Sequence, residues 1–109
     1  MNVEILHVEG CPSFETILPR VREIVAEHGG DPDAITVRAI ETLESAEAAR
    51  FLGSPSVRVN GRDVDPAAAQ REDFGLKCRI YRSEEGQAPT PPEAWIRDAL
   101  EVPAQEATS

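Results

Sequence analysis

No stretch of this 109-residue chain approaches the ~18 consecutive apolar residues that cross a bilayer, and its N-terminus lacks the charged start and long apolar core of a secretion signal. A membrane partner is not expected, and the expected compartment is the cytoplasm. Cations are scarce, with 11 Lys and Arg against 20 Asp and Glu, a net charge of −9. An extended phosphate backbone would be repelled, so nucleic acid is not an expected partner. Cysteine is nearly absent. Cys11 and Cys78 are the only two, too few for a disulfide scaffold, and a reducing cytosol keeps such thiols free, so catalytic, redox or metal-binding roles gain weight. Neither lies in a metal-style Cys-x-x-Cys or Cys/His cluster, so structural zinc is not expected. There is no internal repeat or low-complexity domain, and no cofactor is expected.

What the chain does have is an order of elements. Val3, Ile5, Leu6 and Val8 form a nearly continuous apolar run, which suits a central strand covered on both faces. Phe14, Ile17, Leu18, Val21, Ile24 and Val25 recur at spacings of three and four, one helical stripe that Gly29-Gly30 stops. Pro19 lies inside that stripe and is expected to bend the helix without ending it. Ile35 to Ile40 reads as a second strand, and the acidic, alanine-rich segment Leu43 to Leu52 as a short surface helix. Strand, helix, strand, helix implies a parallel pair with a right-handed crossover.

After Gly53-Ser54-Pro55, Ser56-Val57-Arg58-Val59 alternates, Asn60-Gly61 supplies a two-residue turn, and Arg62-Asp63-Val64 returns antiparallel. Asp65 to Asp73 is expected as a loop or a single helical turn, and Leu76 to Tyr81 as an extended segment carrying Cys78. Pro91-Pro92 precedes a last helix, Glu93 to Leu100, whose Trp95, Ile96, Ala99 and Leu100 can pack on the sheet. The expected organisation is one α/β domain over residues 1–100 and a flexible tail over 101–109, in line with a chain of this length.

The chemistry concentrates at Cys11-Pro12-Ser13-Phe14, directly after the first strand. A thiol at a helix start meets unpaired backbone N–H groups and the positive dipole end, both of which favour the thiolate. Glu9 opposes this, because a nearby carboxylate disfavours a second negative charge. The other reading of Cys11 is a small buried filler at the strand–helix junction, with the helix-start position favouring the reactive one. Cys78 can resolve an oxidised Cys11, can join it around a soft metal ion such as Hg(II) or Cu(I), or can be inert. Ser13 can bond the sulfur or serve only in the first helical turn. His7 reads as structural, Phe14 and Trp95 as core, and Glu41, Glu44 and Glu47 as a solvated face. Arg58, Arg62, Lys77, Arg79 and Arg82 read as surface cations able to steer an anionic thiol.

Over residues 3–100 the order βαβαββα resembles the thioredoxin fold, a mixed four-stranded sheet flanked by helices. Cys11 matches the family's active-site thiol, Pro19 its helix proline, and Ser54-Pro55-Ser56 the turn carrying its cis-proline, which implies a cis bond at Pro55. More narrowly, Gly-Cys-Pro, Gly-Ser-Pro-Ser-Val with Val-Asn-Gly-Arg-Asp-Val, and Gly-Leu-Lys-Cys-Arg-Ile-Tyr resemble small bacterial thioredoxin-like proteins often labelled alkylmercury lyase-like. The resemblance implies a nucleophilic Cys11, with Pro12, Ser13, Ser54 and Pro55 around the substrate, and backbone groups at Ser54 offered to an extended thiol substrate.

The chain also departs from that pattern. Phe14 replaces the second cysteine of Cys-x-x-Cys, which rules out dithiol cycling within the motif. Gly10 replaces the preceding tryptophan, and Phe14 stands where organomercury lyases place an aspartate. The expected function is a small thiol-redox protein in which Cys11 attacks a thiol or disulfide substrate and Cys78 or an external thiol resolves it. Alternatives are metal binding or organomercurial lysis by Cys11 and Cys78, and a non-catalytic interaction module. Oligomeric state is left open.

Overall fold

The computed structural model describes residues 2–101. It is an α/β domain whose central feature is a mixed four-stranded sheet. Strand β1 (Val3–His7) pairs in parallel with β2 (Thr36–Ala39) and antiparallel with β3 (Ser56–Val59), which pairs antiparallel with β4 (Arg62–Asp63). The order is β2-β1-β3-β4. Ile5 and Leu6 are successive and fully buried. Successive strand residues point to opposite faces, so the sheet is covered on both.

The face carrying Ile5 packs on α1 (Pro12–Glu27) and α3 (Glu93–Glu101), through Ile17, Val21, Ile24 and Val25 of α1 and Ile96 of α3. Trp95, Ala99 and Leu100 are partly buried against the same cluster. Leu6, on the other face, meets Ile40, Phe51 and Ala46, the last on the short α2 (Leu43–Ala48). Pro12 stands at the first helical position, where its missing N–H has no intrahelical partner to lose. Pro19 stays within α1 and does not end it. The end comes at Gly29, whose φ of 80° lets Gly30 N–H reach Val25 O at 2.9 Å, closing the last turn in the left-handed manner glycine allows. At the hairpin, Asn60 and Gly61 have φ of 53° and 81°, the paired positive values of a tight two-residue turn.

Several boundaries differ from the sequence expectations. The second helix ends at Ala48 rather than Leu52. Arg50 takes a φ of 54°, and Phe51 N–H then bonds Ala46 O at 2.8 Å while Arg50 N–H bonds Glu47 O at 3.1 Å. This is the glycine-type helix stop made by an arginine, and it frees Phe51 and Leu52 to be buried. Strand β2 is shorter than Ile35 to Ile40 and exposed along its length, because it forms the sheet's edge and has only β1 as neighbour. A second hairpin, β5 (Tyr81–Ser83) with β6 (Gly86–Ala88), precedes α3 and adds two strands to the expected βαβαββα order. Its outer strand is wholly exposed and leaves no apolar alternation to read. A single helical turn, Ala68–Gln70, interrupts the loop after β4. Glu101, expected in the tail, closes α3, and the tail expected over 102–109 lies outside the described residues. No helix among the described residues is long and apolar enough to cross a membrane.

Candidate functional site

The segment Phe51 to Val57 is buried without interruption, although it contains two serines, a glycine and a proline. Its polar groups therefore need partners. Ser54 finds four. Its hydroxyl oxygen accepts from Val8 N–H at 3.1 Å, its N–H donates to Lys77 O at 2.8 Å, and its C=O accepts from Arg79 N–H at 3.0 Å. Cys78 lies between those two residues and forms a parallel bridge with Ser54. One serine thus ties the chain three residues before Cys11 to the backbone that carries Cys78.

Cys11 caps α1 with φ −78° and ψ 109°, without a side-chain capping bond. It is 6% exposed and belongs to neither apolar cluster, whereas Cys78 is exposed, and both thiols are free. Pro12 is exposed and Ser13 half-buried in the first turn of α1. His7 and Phe14 stack face to face, with ring centroids 3.8 Å apart and planes 5° off parallel, and the His7 Nδ1 lies 3.1 Å from Val8 O. Phe14, partly buried against the first cluster, therefore pairs with a histidine that the sequence read as structural.

Segment 76–81 alternates. Leu76, Cys78 and Ile80 are exposed, while Arg79 and Tyr81 are buried. Arg79 is 2% exposed, which corrects its expected place among surface cations. Its guanidinium binds both Asp63 oxygens, at 2.6 and 3.0 Å, and reaches Ser56 Oγ at 3.0 Å and Asp65 at 3.3 Å. It also lies 4.3 Å from the Tyr81 ring centroid. Burial is the largest influence and opposes the Arg79 charge, but the Asp63 bonds together with the electrostatic influence of Tyr81, Asp63 and Asp65 outweigh it, raising its pKa. Tyr81 O–H donates to Pro55 O at 2.6 Å, and Ser56 O–H to Gly53 O at 2.6 Å. Burial pushes the Tyr81 phenol well above its ordinary pKa. At Gly53, with φ 128°, a Cβ would come 2.9 Å from Arg79 Cβ, so only glycine admits this approach. Arg58, also read as a surface cation, is half-buried and donates to Ala49 O and Arg50 O at 2.6 and 3.0 Å.

Three sequence-derived site residues thus meet at one turn: Ser54 and Pro55 form it and Cys78 bridges it, while Cys11 lies three residues beyond Val8, which Ser54 holds. One expectation changes. The backbone groups of Ser54, which the resemblance offers to a substrate, are occupied by Lys77 and Arg79, and Pro55 O by Tyr81. The sequence reading missed Arg79, Asp63, Asp65 and Tyr81 as a unit. The available signal was the alternation of 76–81, which puts a charged residue on the same face as a tyrosine and calls for nearby carboxylates.

Among the described residues, no three His, Cys, Asp or Glu side chains gather as a metal site. The chain matches no known family profile, no curated protein and no solved structure.

Proposed function

We propose that this chain is a thioredoxin-like thiol-redox protein whose working pair is Cys11 and Cys78. The observation that carries it is the double attachment of Ser54, to Val8 through its hydroxyl and to Lys77 and Arg79 through its backbone. Further support comes from the sheet order β2-β1-β3-β4 with helices on both faces, the cis Ser54–Pro55 peptide bond ahead of β3, and Cys11 as the N-cap of α1.

The exposure of Cys78 and the burial of Cys11 support roles in the reverse of the order expected from the sequence. Exposed Cys78 meets the external disulfide, and its thiolate displaces one thiolate while forming a mixed disulfide. The Cys11 thiolate, at the N-terminus of α1, attacks the Cys78 sulfur and expels the second substrate thiolate. Two electrons pass from the protein dithiol to the substrate, leaving a Cys11–Cys78 disulfide that external thiols reduce again. A reducing cytoplasm supplies those thiols.

Oxidation by a small disulfide followed by mass spectrometry of the intact chain tests the scheme. The expected product has lost two hydrogens and yields a peptide joining Cys11 to Cys78, absent in Cys11→Ser and Cys78→Ser. Accumulation of mixed disulfides on the wild-type protein with no internal bridge overturns it.

A further inference from the structure

Beside Cys78 lies an open cleft of about 510 Å³, with Leu52 and Ile80 as apolar walls. Its charge balance inverts that of the chain. Four of the 11 Lys and Arg residues line it, namely Arg71, Lys77, Arg79 and Arg82, against two of the 20 Asp and Glu residues, Asp65 and Asp73. The carboxylates are already shared. Asp73 binds both Arg71, at 2.6 Å, and Lys77, at 2.8 Å. Asp65 is held by Arg79, which Asp63, outside the cleft, also pairs, so the unpaired surplus is smaller than the lining count and falls on Arg82. Arg82 is exposed, and no carboxylate pairs with it among the described residues. In an acidic protein, such a surplus beside an exposed thiol concentrates anions there and repels cations.

We propose that this cleft selects small disulfides bearing carboxylates, holding their anionic ends among Arg71, Lys77 and Arg82 while Cys78 takes up one sulfur. The inference rests on the reading of Cys78 as the entering thiol. The step is an exchange: a bond forms between the Cys78 thiolate and one substrate sulfur, the substrate S–S bond breaks, and the departing thiolate takes a proton from water. Cys78 is oxidised to the disulfide level as the released sulfur is reduced.

The test uses full-length Cys11→Ser protein, so that the mixed disulfide at Cys78 accumulates and is counted by mass spectrometry. Dithiodipropionate, a dianion, is compared with cystamine, a dication, each rate divided by its rate with an unstructured cysteine peptide. The normalised ratio is expected to favour the dianion at least ~10-fold at low ionic strength and to shrink toward one in ~1 M salt. Adding Arg82→Gln is expected to lower the preference, and Lys77→Gln with Arg82→Gln to abolish most of it. Equal rates, or a preference for cystamine, overturn the cleft. If Cys11→Ser does not fold, the same ratio is read from the first exchange step of the wild-type protein. Anion preference without a wild-type Cys11–Cys78 bridge sinks the dithiol cycle alone, whereas a bridge without preference sinks only the cleft.

Discussion

Cys11 and Cys78 stand on two regions built by opposite means. Around Cys11, β1 and α1 are held by apolar side chains at regular spacing, and Ile5, Val21 and Ile24 are fully buried. Around Cys78, no regular strand carries the thiol, and a buried arginine bound to two aspartates, a serine and a tyrosine ring holds the segment in place. Apolar packing is adjustable and cumulative. A buried ionic network is all-or-none, because loss of one member leaves the others charged and unpartnered. The difference teaches that the exposed thiol depends on the less forgiving kind of support.

The largest expected effect breaks that support. Arg79→Ala leaves Asp63 and Asp65 without their buried partner and is expected to cost about 3–5 kcal/mol in urea unfolding, with faster hydrogen exchange at Ser54 N–H. A loss under about 1 kcal/mol shows that the segment is held by something else. Ile24→Ala probes the other region and is expected to cost about 2–5 kcal/mol, through lost burial and a cavity. Exchange at Ser54 N–H under native conditions should then change no more than global stability does. A selective rise there erases the distinction between the regions.

Tyr81→Phe sharpens the comparison by removing one polar contact and keeping the ring, at an expected cost of about 1 kcal/mol. It also carries a pH signature. The folded state holds the phenol protonated above its ordinary pKa of 10.0, while the unfolded chain releases that proton near it. Above pH 10 the unfolded state binds fewer protons, so stability present below that pH declines as pH rises. The decline should be shallower in Tyr81→Phe and unchanged in Ile24→Ala, as read from unfolding midpoints between pH 8 and 11.

The same contrast explains what the sequence disclosed. Apolar period placed β1, α1 and α3, and Asn60-Gly61 placed the β3–β4 hairpin, because each follows a local rule of spacing or turn chemistry. Arg50 hid the end of α2 because glycine, not arginine, is the usual sign of a left-handed stop. The β5–β6 hairpin escaped because its exposed residues carry no periodic burial. At the candidate site, Cys11, Ser54, Pro55 and Cys78 were legible as chemical types at suggestive positions. The partnership of Arg79 with Asp63 and Asp65 spans 16 and 14 residues, and no local spacing rule encodes it.

The filled valences of Ser54 have one more consequence. A long polypeptide guest would dock on this turn through main-chain pairing, and its landing strip is already in use by the protein's own chain. Compact guests need no such pairing. Under the proposed function, this turn therefore favours guests that need no main-chain pairing.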